Sequence, residues 1–571
     1  MSDAKKKVEP EGGEKRTTTR REWLIDIGKA TAVAGIAGKS SMVDGAEPKF
    51  APAAEAPALS SGLHRPSVGQ LLAKPVWPDM KLPHLISDGM VLQRGKPLNL
   101  WGTAEPGERV RISFQNQNAS VLAGNDGRWK VEIGPFESGG PYTLTIEGQN
   151  KLVVRDVLVG EVWVCGGQSN MGFALQFALN APTEISTADD PSLRLFSVPI
   201  TVTGKPQETV AGQWLQARPE SVANFSAVGY YFGRQLRKLL NVPVGLICSA
   251  VGGTRAESWI SHETLESDPD FREILEHGKA WLESTPKVIA DYQAELDRWK
   301  RAAEQAESQG NPIPPFPTAP REPRGDAWER PSGLFNGMVA PLTNYRIAGV
   351  VWYQGENNVP RPMQYRKLFP AMIGDWRRAW NQGDFPFLFA QISYFISGDA
   401  QYDLNWNLLQ EAQLKSLSVP NVAMVVTADT EDYPDVHPKN KQEVGYRLAL
   451  AAQALAYRCD VPFSGPIYDS MSVEGATIRL RFTHVYHGLT VRKGKNTSLM
   501  QFRIAGKERK FETADAIIDG DTVVVSSPKV PEPLAVRYAF PYTPEANLYN
   551  YAGLPAPAFR TDDWPITVAG Y

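Results

Sequence analysis

Apolar and polar residues alternate along the first part of the chain that has a regular pattern. Between about residues 82 and 155, apolar side chains occupy every second position, and turn residues such as Asn125-Asp126-Gly127 separate the runs. The positions that follow this period are Val110, Ile112, Phe114, Trp129, Val131, Ile133, Tyr142, Leu144 and Ile146. A period of two is typical of strands with one face in a core. The pattern predicts an N-terminal β-sandwich domain over residues 82–155.

The pattern changes after residue 156, where continuous apolar runs alternate with segments of helix length. The runs are Val157 to Cys165, Pro243 to Ala250, Ala348 to Tyr353, Phe387 to Ile392 and Val422 to Ala428. Strands covered on both faces are apolar at nearly every position, whereas half-exposed strands alternate. We therefore predict an α/β domain over residues 156–457, with a parallel sheet between layers of helices.

A charged segment interrupts this domain between about residues 263 and 325. Ile289, Tyr292, Leu296 and Trp299 recur at helical spacing, and a proline-rich loop closes the segment. We predict a helical insertion here, packed as a hairpin. Nothing in its residues suggests chemistry.

The period of two returns near the end of the chain. Ile478, Leu480 and Phe482 follow it, and further short runs lie beyond them, between turn residues. The alternation predicts a C-terminal β-sandwich domain over residues 458–571.

The first 60 residues have the composition of an export signal and a flexible linker. Arg20 and Arg21 precede Trp23 and Leu24, and a mildly apolar run from Ala30 to Ala37 follows. This arrangement resembles a twin-arginine signal and predicts an exported, periplasmic or extracellular protein; a basic tail is the alternative. No segment approaches the roughly 20 apolar residues that a membrane helix needs, so we predict no membrane span in the mature protein.

Composition and charge narrow the classes of function. A chain of 571 residues with 42% hydrophobic and 22% charged residues is typical of a globular protein with several domains. The net charge of -3 provides no positive field to hold a nucleic acid, so we predict no nucleic-acid partner. Three cysteines cannot build a disulfide framework.

The end of the first predicted strand carries a serine. Ligands of open α/β sheets bind at the carboxyl ends of the strands, and this strand runs into Gly166-Gly167-Gln168-Ser169-Asn170-Met171. The glycines allow a sharp turn, which places Ser169 where a nucleophile would stand. The motif differs from the G-x-S-x-G elbow of α/β-hydrolases because Met171 replaces the second glycine. For this motif alone, a structural turn is the alternative.

The next two strands end at groups that suit an oxyanion. Gly252-Gly253-Thr254 follows the second apolar run, and Gln354 follows the third. The backbone N–H of Gly253 and the side-chain amide of Gln354 are donors of the kind that stabilises developing negative charge. For each of them, an ordinary turn is the alternative.

The last strand leads into an acidic loop that contains His437. A serine hydroxyl needs an adjacent base, and an acid must orient that base. Of the seven histidines, His437 is the one placed at a carboxyl-end loop, with a weaker case for His262. The carboxylates of this loop also suit a metal, but the other loops offer too few ligands, so we predict no metal site.

Taken together, these motifs resemble those of the sialate O-acetylesterases, which belong to the SGNH hydrolases. The resemblance rests on ordered segments and covers nearly all of the chain from about residue 82 onward. The segments are Val159-Gly160-Glu161-Val162-Trp163, Gly167-Gln168-Ser169-Asn170-Met171, Trp352-Tyr353-Gln354-Gly355-Glu356, Asp435-Val436-His437-Pro438 and Val444-Gly445-Tyr446-Arg447-Leu448.

The resemblance implies a fold, a site and a reaction. The fold is a flavodoxin-like three-layer SGNH domain flanked by the two β-domains. Ser169 would be the nucleophile, His437 the general base and then acid, and the N–H groups of Ser169 and Gly253 with the Gln354 amide would form the oxyanion hole. The expected reaction is release of acetate from an O-acetylated carbohydrate through an acyl-enzyme, without a metal or another cofactor.

Two positions depart from the family pattern. Many SGNH enzymes carry the acid three residues before the histidine, where this chain has Pro434, so Asp435 is the candidate; Glu356 or a backbone carbonyl are the alternatives. Arg255 stands where relatives often have a smaller residue. Its planar guanidinium suits a sugar carboxylate, and pairing with Glu257 or another acid is the alternative.

Two questions stay open at the level of sequence. Sialic acid, acetylated xylan and other acetylated polysaccharides all remain candidate substrates, because specificity depends on loops. A catalytically silent glycan-binding protein is the alternative from a different class, although such a protein would not need both Ser169 and His437.

Overall fold

The computed structural model describes residues 79–317, 330–430, 435–492, 498–540 and 546–566. The predicted export signal and linker, residues 1–60, lie outside the described residues. Among the described residues, no helix is long and apolar enough to cross a membrane.

Both ends of the described part of the chain contain strands and no α-helix, whereas strands alternate with helices in its middle. The strands are β1 Val91–Gln93, β2 Leu98–Thr103, β3 Arg109–Phe114, β4 Gln117–Leu122, β5 Arg128–Ile133, β6 Gly139–Glu147, β7 Lys151–Gly167, β8 Asp190–Ser197, β9 Trp214–Ala217, β10 Val244–Ala250, β11 Gly349–Tyr353, β12 Phe387–Ala390, β13 Val422–Val425, β14 Ile467–Glu474, β15 Thr477–Thr483, β16 Leu489–Val491, β17 Phe502–Ala505, β18 Glu512–Thr513, β19 Asp515–Asp519, β20 Thr522–Ser526, β21 Ala535–Tyr538, β22 Leu548–Asn550 and β23 Phe559–Arg560. The α-helices are α1 Ser169–Gly172, α2 Ala181–Ser186, α3 Pro219–Val222, α4 Ala227–Leu240, α5 His262–Ser267, α6 Arg272–Ser308, α7 Pro362–Trp380, α8 Ala400–Lys415 and α9 Lys441–Leu455. Shorter turns of helix are the 3₁₀ segments Leu175–Phe177, Ala256–Trp259, Pro269–Phe271, Ala340–Leu342, Glu356–Asn358 and Ser416–Ser418 and the π-helical segment Phe335–Val339.

The five continuous apolar runs form neighbouring strands of one central sheet, as predicted. The spatial order is β13-β12-β11-β7-β10-β8-β9, and all pairs from β13 to β8 are parallel. β9 pairs antiparallel with β8 at the edge. The sheet is therefore mixed, with a parallel centre, and the α/β prediction is confirmed.

Helices cover both faces of this sheet. Along β7, Val162 and Val164 belong to one buried apolar cluster, and Trp163 and Cys165 belong to another on the opposite face. Residues of α7 and α8 fill the first cluster, and residues of α4 and α9 fill the second. Burial from two sides explains why the strand is apolar at nearly every position.

β7 joins the N-terminal strands to the central sheet. Its first residues pair antiparallel with β6, whereas its later residues, from Glu161 onward, pair with β10 and β11. The predicted boundary between residues 155 and 156 lies inside this strand of 17 residues. Val110 and Phe114 of the N-terminal strands share an apolar cluster with Trp352 of the central sheet. Strand pairing and packing therefore both cross the predicted boundary.

Small antiparallel sheets lie at both ends of the described chain. β2 pairs with β5 near the N-terminus, and the C-terminal region contains two four-stranded sheets, β14-β15-β20-β19 and β18-β17-β21-β23. Both of the four-stranded sheets contribute side chains to one apolar cluster, for example Leu480 and Ile504. The grouping of these sheets into two β-sandwich domains stays a prediction.

The predicted insertion is helical, but it differs from a hairpin. Ile289, Leu296 and Trp299 all lie on α6, one helix of 37 residues. The described residues that follow it, 309–317, are not helical. Among the described residues, this one long helix carries the apolar period over Arg272–Ser308, so the prediction of a hairpin was wrong there.

Candidate active site

The loops at the carboxyl ends of β7, β10, β11 and β13 carry the polar residues that the sequence singled out. The chain passes from β7 to β8 and β10 on one side and then to β11, β12 and β13 on the other. A crevice opens where a parallel sheet reverses its strand order in this way. The topology therefore places the candidate site at the end of β7.

Ser169 lies on a sharp turn directly after β7. Gly167 has a φ of +140°, and a Cβ built on it would lie 2.2 Å from the backbone oxygen of Tyr353. Only glycine tolerates both the conformation and this close approach. The backbone N–H of Gln168 donates to the same oxygen at 3.0 Å. This turn fixes Ser169, the half-buried first residue of α1, at the end of the sheet.

The structure brings His437 into contact with Ser169. The His437 Nε2 lies 2.8 Å from the Ser169 Oγ, although the two residues are 268 positions apart in the chain. The ring of Phe173 stacks on the imidazole, with centroids 6.3 Å apart and planes 26° from parallel. The imidazole side chain is 20% exposed. A hydroxyl whose proton an imidazole accepts is a nucleophile suited to an ester carbonyl.

Asp435 lies on the other side of the imidazole. Its Oδ1 is 3.4 Å from the His437 Nδ1 and accepts the backbone N–H of His437 at 2.9 Å. Partial burial acts to raise the pKa of Asp435, but the hydrogen bonds from His437 and the charges of His437 and Lys441 hold it below its ordinary value. A carboxylate beside Nδ1 favours the tautomer in which Nε2 accepts the serine proton.

Glu356 is buried, contacts Asn170 and interacts electrostatically with His437. Its Oε1 accepts from the Asn170 Nδ2 at 2.6 Å, and its Oε2 has no hydrogen-bond partner among the described residues. Burial raises the pKa of Glu356, and the hydrogen bond from Asn170 and the charges of His437 and Lys441 oppose that shift. Glu356 therefore acts electrostatically on the site and supports the residue next to the nucleophile.

The hydrogen bonds of the Gln354 side chain are made to other residues of the protein. It is fully buried, and its Nε2 donates to the Thr254 backbone oxygen at 3.1 Å and to the Asn358 Oδ1 at 2.7 Å. Its Oε1 accepts from the Tyr365 hydroxyl at 3.2 Å. Both amide hydrogens are engaged, so Gln354 in this arrangement joins the loops after β10 and β11 and has none left to donate to substrate.

Gly253 lies in the turn after β10 with a φ of +71° and no neighbouring atom within 4 Å of a Cβ built on it. Its carbonyl accepts the side-chain amide of Asn357 at 2.6 Å. This contact ties the Gly253 turn to the loop after β11. Open space at Gly253 is compatible with the approach of a ligand to its backbone.

Arg255 lies two residues beyond Gly253 and is half-buried. Glu257, the acid named as its alternative partner, is buried, forms an ion pair with Arg361 and accepts from the Asn358 Nδ2 at 2.9 Å. Arg361 and Asn358 therefore provide partners for the Glu257 carboxylate.

Sequence reasoning missed three polar residues of this region. Asn170 and Asn357 lie inside or directly after the motifs, so the motifs themselves were a signal for them. Lys441 gave no signal, because a lysine at the start of a helix is usually exposed. In the structure the Lys441 side chain is fully buried and donates to the Asn170 Oδ1.

Comparisons with known proteins agree with one another. The model of a protein family described as a carbohydrate esterase, sialic acid-specific acetylesterase, matches residues 159–311 and 317–455. The chain is 32% identical to the sialate O-acetylesterase of Rattus norvegicus over 72% of this chain and 80% of that protein. It is 30% identical to the sialate O-acetylesterase of Homo sapiens over 77% of this chain and 83% of that protein.

A solved structure extends the likeness to the fold. A carbohydrate acetylesterase from Xanthomonas citri superposes with a TM-score of 0.72 at 35% identity, over 85% of this chain and 100% of that chain. The residues that the family model matches include the turn at Ser169, the loop after β11 and the loop with His437. The chain is a carboxylic ester hydrolase that belongs to the sialic acid-specific acetylesterase family of carbohydrate esterases.

Proposed function

We propose that this protein is a serine esterase that removes O-acetyl groups from carbohydrates through an acyl-enzyme. The observation that carries the proposal is the 2.8 Å contact between the Ser169 Oγ and the His437 Nε2 at the carboxyl end of a parallel sheet. The strand order and the two helical layers support assignment to the flavodoxin-like SGNH type. Family membership supports an acetylated carbohydrate as substrate.

The reaction begins with attack of the Ser169 oxygen on the acetyl carbonyl carbon. The hydroxyl proton passes to the His437 Nε2, and the carbonyl electron pair moves to the oxygen, where the N–H groups of Ser169 and Gly253 stabilise it. When the intermediate collapses, the sugar oxygen leaves with the proton from His437. Acetyl-Ser169 and a deacetylated sugar remain.

Water completes the cycle. The oxygen of a water molecule attacks the acetyl carbon while His437 accepts a proton from that water. The second intermediate then expels the Ser169 oxygen, which takes the proton back from His437. The products are acetate and the free enzyme. Every proton transfer uses the imidazole, so the chemistry needs neither a metal nor another cofactor.

The substrate class and the location are further parts of the proposal. Arg255 lies close to the Gly253 turn, where its guanidinium suits the carboxylate of an acidic sugar such as sialic acid. Neutral acetylated polysaccharides such as xylan lack this group. Export through the Arg20-Arg21 segment would place the enzyme where extracellular glycans occur.

Release of acetate from defined glycans tests the function. We expect the wild type to release acetate from O-acetylated sialic acid, and the Arg255→Met variant to show a KM raised by about tenfold for that substrate only. An acetylated xylo-oligosaccharide, which has no carboxylate, is the control. No acetate from either glycan, with retained glycan binding, would support the silent binding protein instead.

Isosteric substitutions distinguish the roles of the two carboxylates near His437. We expect Asp435→Asn to lower kcat by about 10³-fold or more, because the amide favours the wrong imidazole tautomer. Glu356→Gln keeps an oxygen that accepts from Asn170, so we expect a loss of less than about tenfold. Steady-state kinetics with an aryl acetate measures both. A larger loss for Glu356→Gln would assign the orienting role to Glu356.

A further inference from the structure

A buried cation lies beside the catalytic pair, and the proposed mechanism does not use it. Lys441, the first residue of α9, is fully buried. Its Nζ lies 5.0 Å from the centre of the Phe173 ring and 5.2 Å from that of Tyr353. Phe173 is the ring that stacks on His437. Removal of an ammonium from water is costly, and aromatic faces and an amide oxygen offset part of that cost.

The ammonium determines how the Asn170 amide is oriented. An ammonium only donates hydrogen bonds, so the oxygen of the amide must face it. The Asn170 Oδ1 accepts from the Lys441 Nζ, and the Nδ2 is thereby directed to the Glu356 Oε1 at 2.6 Å and the Val436 backbone oxygen at 3.1 Å. Asn170 follows the nucleophile, and Val436 precedes the base. One amide therefore fastens the turn of Ser169 to the loop of His437.

We propose that Lys441 is a positioning residue for esterase catalysis: it fixes the Asn170 clamp between the loops of Ser169 and His437 and balances the charge of the carboxylates around the imidazole. This inference rests on the proposed function. The role runs through its hydrogen bond to Asn170 and through its charge.

Charge balance supplies the second part of the role. Charged groups near the imidazole include Asp435 from its own loop, Glu356 from the loop after β11 and Lys441 from α9. Two carboxylates beside an imidazole favour its protonated form, which cannot accept a proton from serine. The positive charge of Lys441 favours the neutral form. Loss of that charge therefore acts against the form of the imidazole that accepts the serine proton.

Two variants distinguish the effect of the Lys441 hydrogen bond from the effect of its charge. Lys441→Met removes both, and Lys441→Gln removes the charge but keeps a donor for the Asn170 Oδ1. Lys439→Met is the matched control, because Lys439 lies two residues away with an exposed side chain. The pH dependence of kcat/KM with an aryl acetate is measured for each, with circular dichroism to check the fold.

We expect Lys441→Met to lower kcat by about 10- to 100-fold with a smaller change in KM, since displaced groups lose reactive geometry. The acid limb of its pH profile should move up by roughly 0.5 to 1 pH unit. Lys441→Gln should show the same shift with a smaller loss of kcat, and Lys439→Met neither effect. At a pH above the acid limb, Asn170→Ala combined with Lys441→Met should lose no more kcat than Asn170→Ala alone, because residues in one network are non-additive.

Two results would overturn the inference. If Lys441→Met folds and has the kcat of the wild type, with the acid limb of the pH profile unshifted, the lysine has only a packing role. If Lys441→Met does not fold, an unshifted acid limb in the pH profile of Lys441→Gln would overturn the inference in the same way. A wild type that hydrolyses no acetate ester would instead contradict the proposed function, so the two failures are distinguishable.

Discussion

Replacement of Ser169 by alanine is expected to lower kcat for an aryl acetate by about 10⁴-fold or more. The hydroxyl is the atom that forms the acyl-enzyme, and its 2.8 Å contact with the His437 Nε2 is the route by which its proton leaves. Substrate binding and the backbone N–H groups remain in the variant, so KM should change far less than kcat. Initial rates of aryl acetate hydrolysis measure both constants.

Detection of the intermediate strengthens this test. Acid-quenched wild type should carry one acetyl group on the peptide that contains Ser169, and the alanine variant should carry none. Ser186→Ala is the control, because it removes the same hydroxyl from an exposed position on α2. Activity of Ser169→Ala within tenfold of the wild type would exclude Ser169 as the nucleophile.

The central sheet and its loops were predictable because their signals are local. A strand buried on both faces must be apolar throughout, and this property marked β7, β10, β11, β12 and β13. Strand ends at the same edge of a parallel sheet lie close together, which indicated that Ser169 and His437 would meet. The structure brings them to hydrogen-bond distance.

Features that depend on long-range packing were not predictable. β7 continues through the predicted boundary at residue 155, because strand pairing on each side, and not composition, decides where a strand ends. The amide of Gln354 is engaged by Thr254 and Asn358, and neither contact follows from the local sequence. The burial of Lys441 depends on Asn170, 271 residues earlier in the chain.

The outcome at Gln354 changes how the loops are understood. Instead of one donor from each loop reaching the substrate, side-chain amides join the loops to one another: Gln354 to Thr254, and Asn357 to Gly253. A rigid connection between loops is what preorganised backbone N–H groups require. In the proposed mechanism, these amides support the groups that stabilise the oxyanion.

Replacement of His437 by alanine should cost nearly as much as loss of the nucleophile, about 10⁴-fold in kcat. The reason is that Ser169 and His437 act as one unit: a hydroxyl without a base is scarcely more reactive than water, and a base without a nucleophile has no proton to accept. The double variant should therefore be no slower than either single variant. Added imidazole should restore part of the activity of the single variant His437→Ala, because it can occupy the space left by the ring, but it should not restore activity to variants that lack Ser169.

His262→Ala is the control for this prediction, because the sequence left a weaker case for His262 as the base. The His262 Nε2 lies 3.0 Å from the Glu266 carboxylate on the same helix, and its side chain is 61% exposed. The variant should keep the activity of the wild type, and an exposed side-chain contact of this kind contributes little to stability. If His437→Ala kept most of its activity, or if the losses at Ser169 and His437 simply multiplied, the two residues would not share the proton, and the mechanism would need another base.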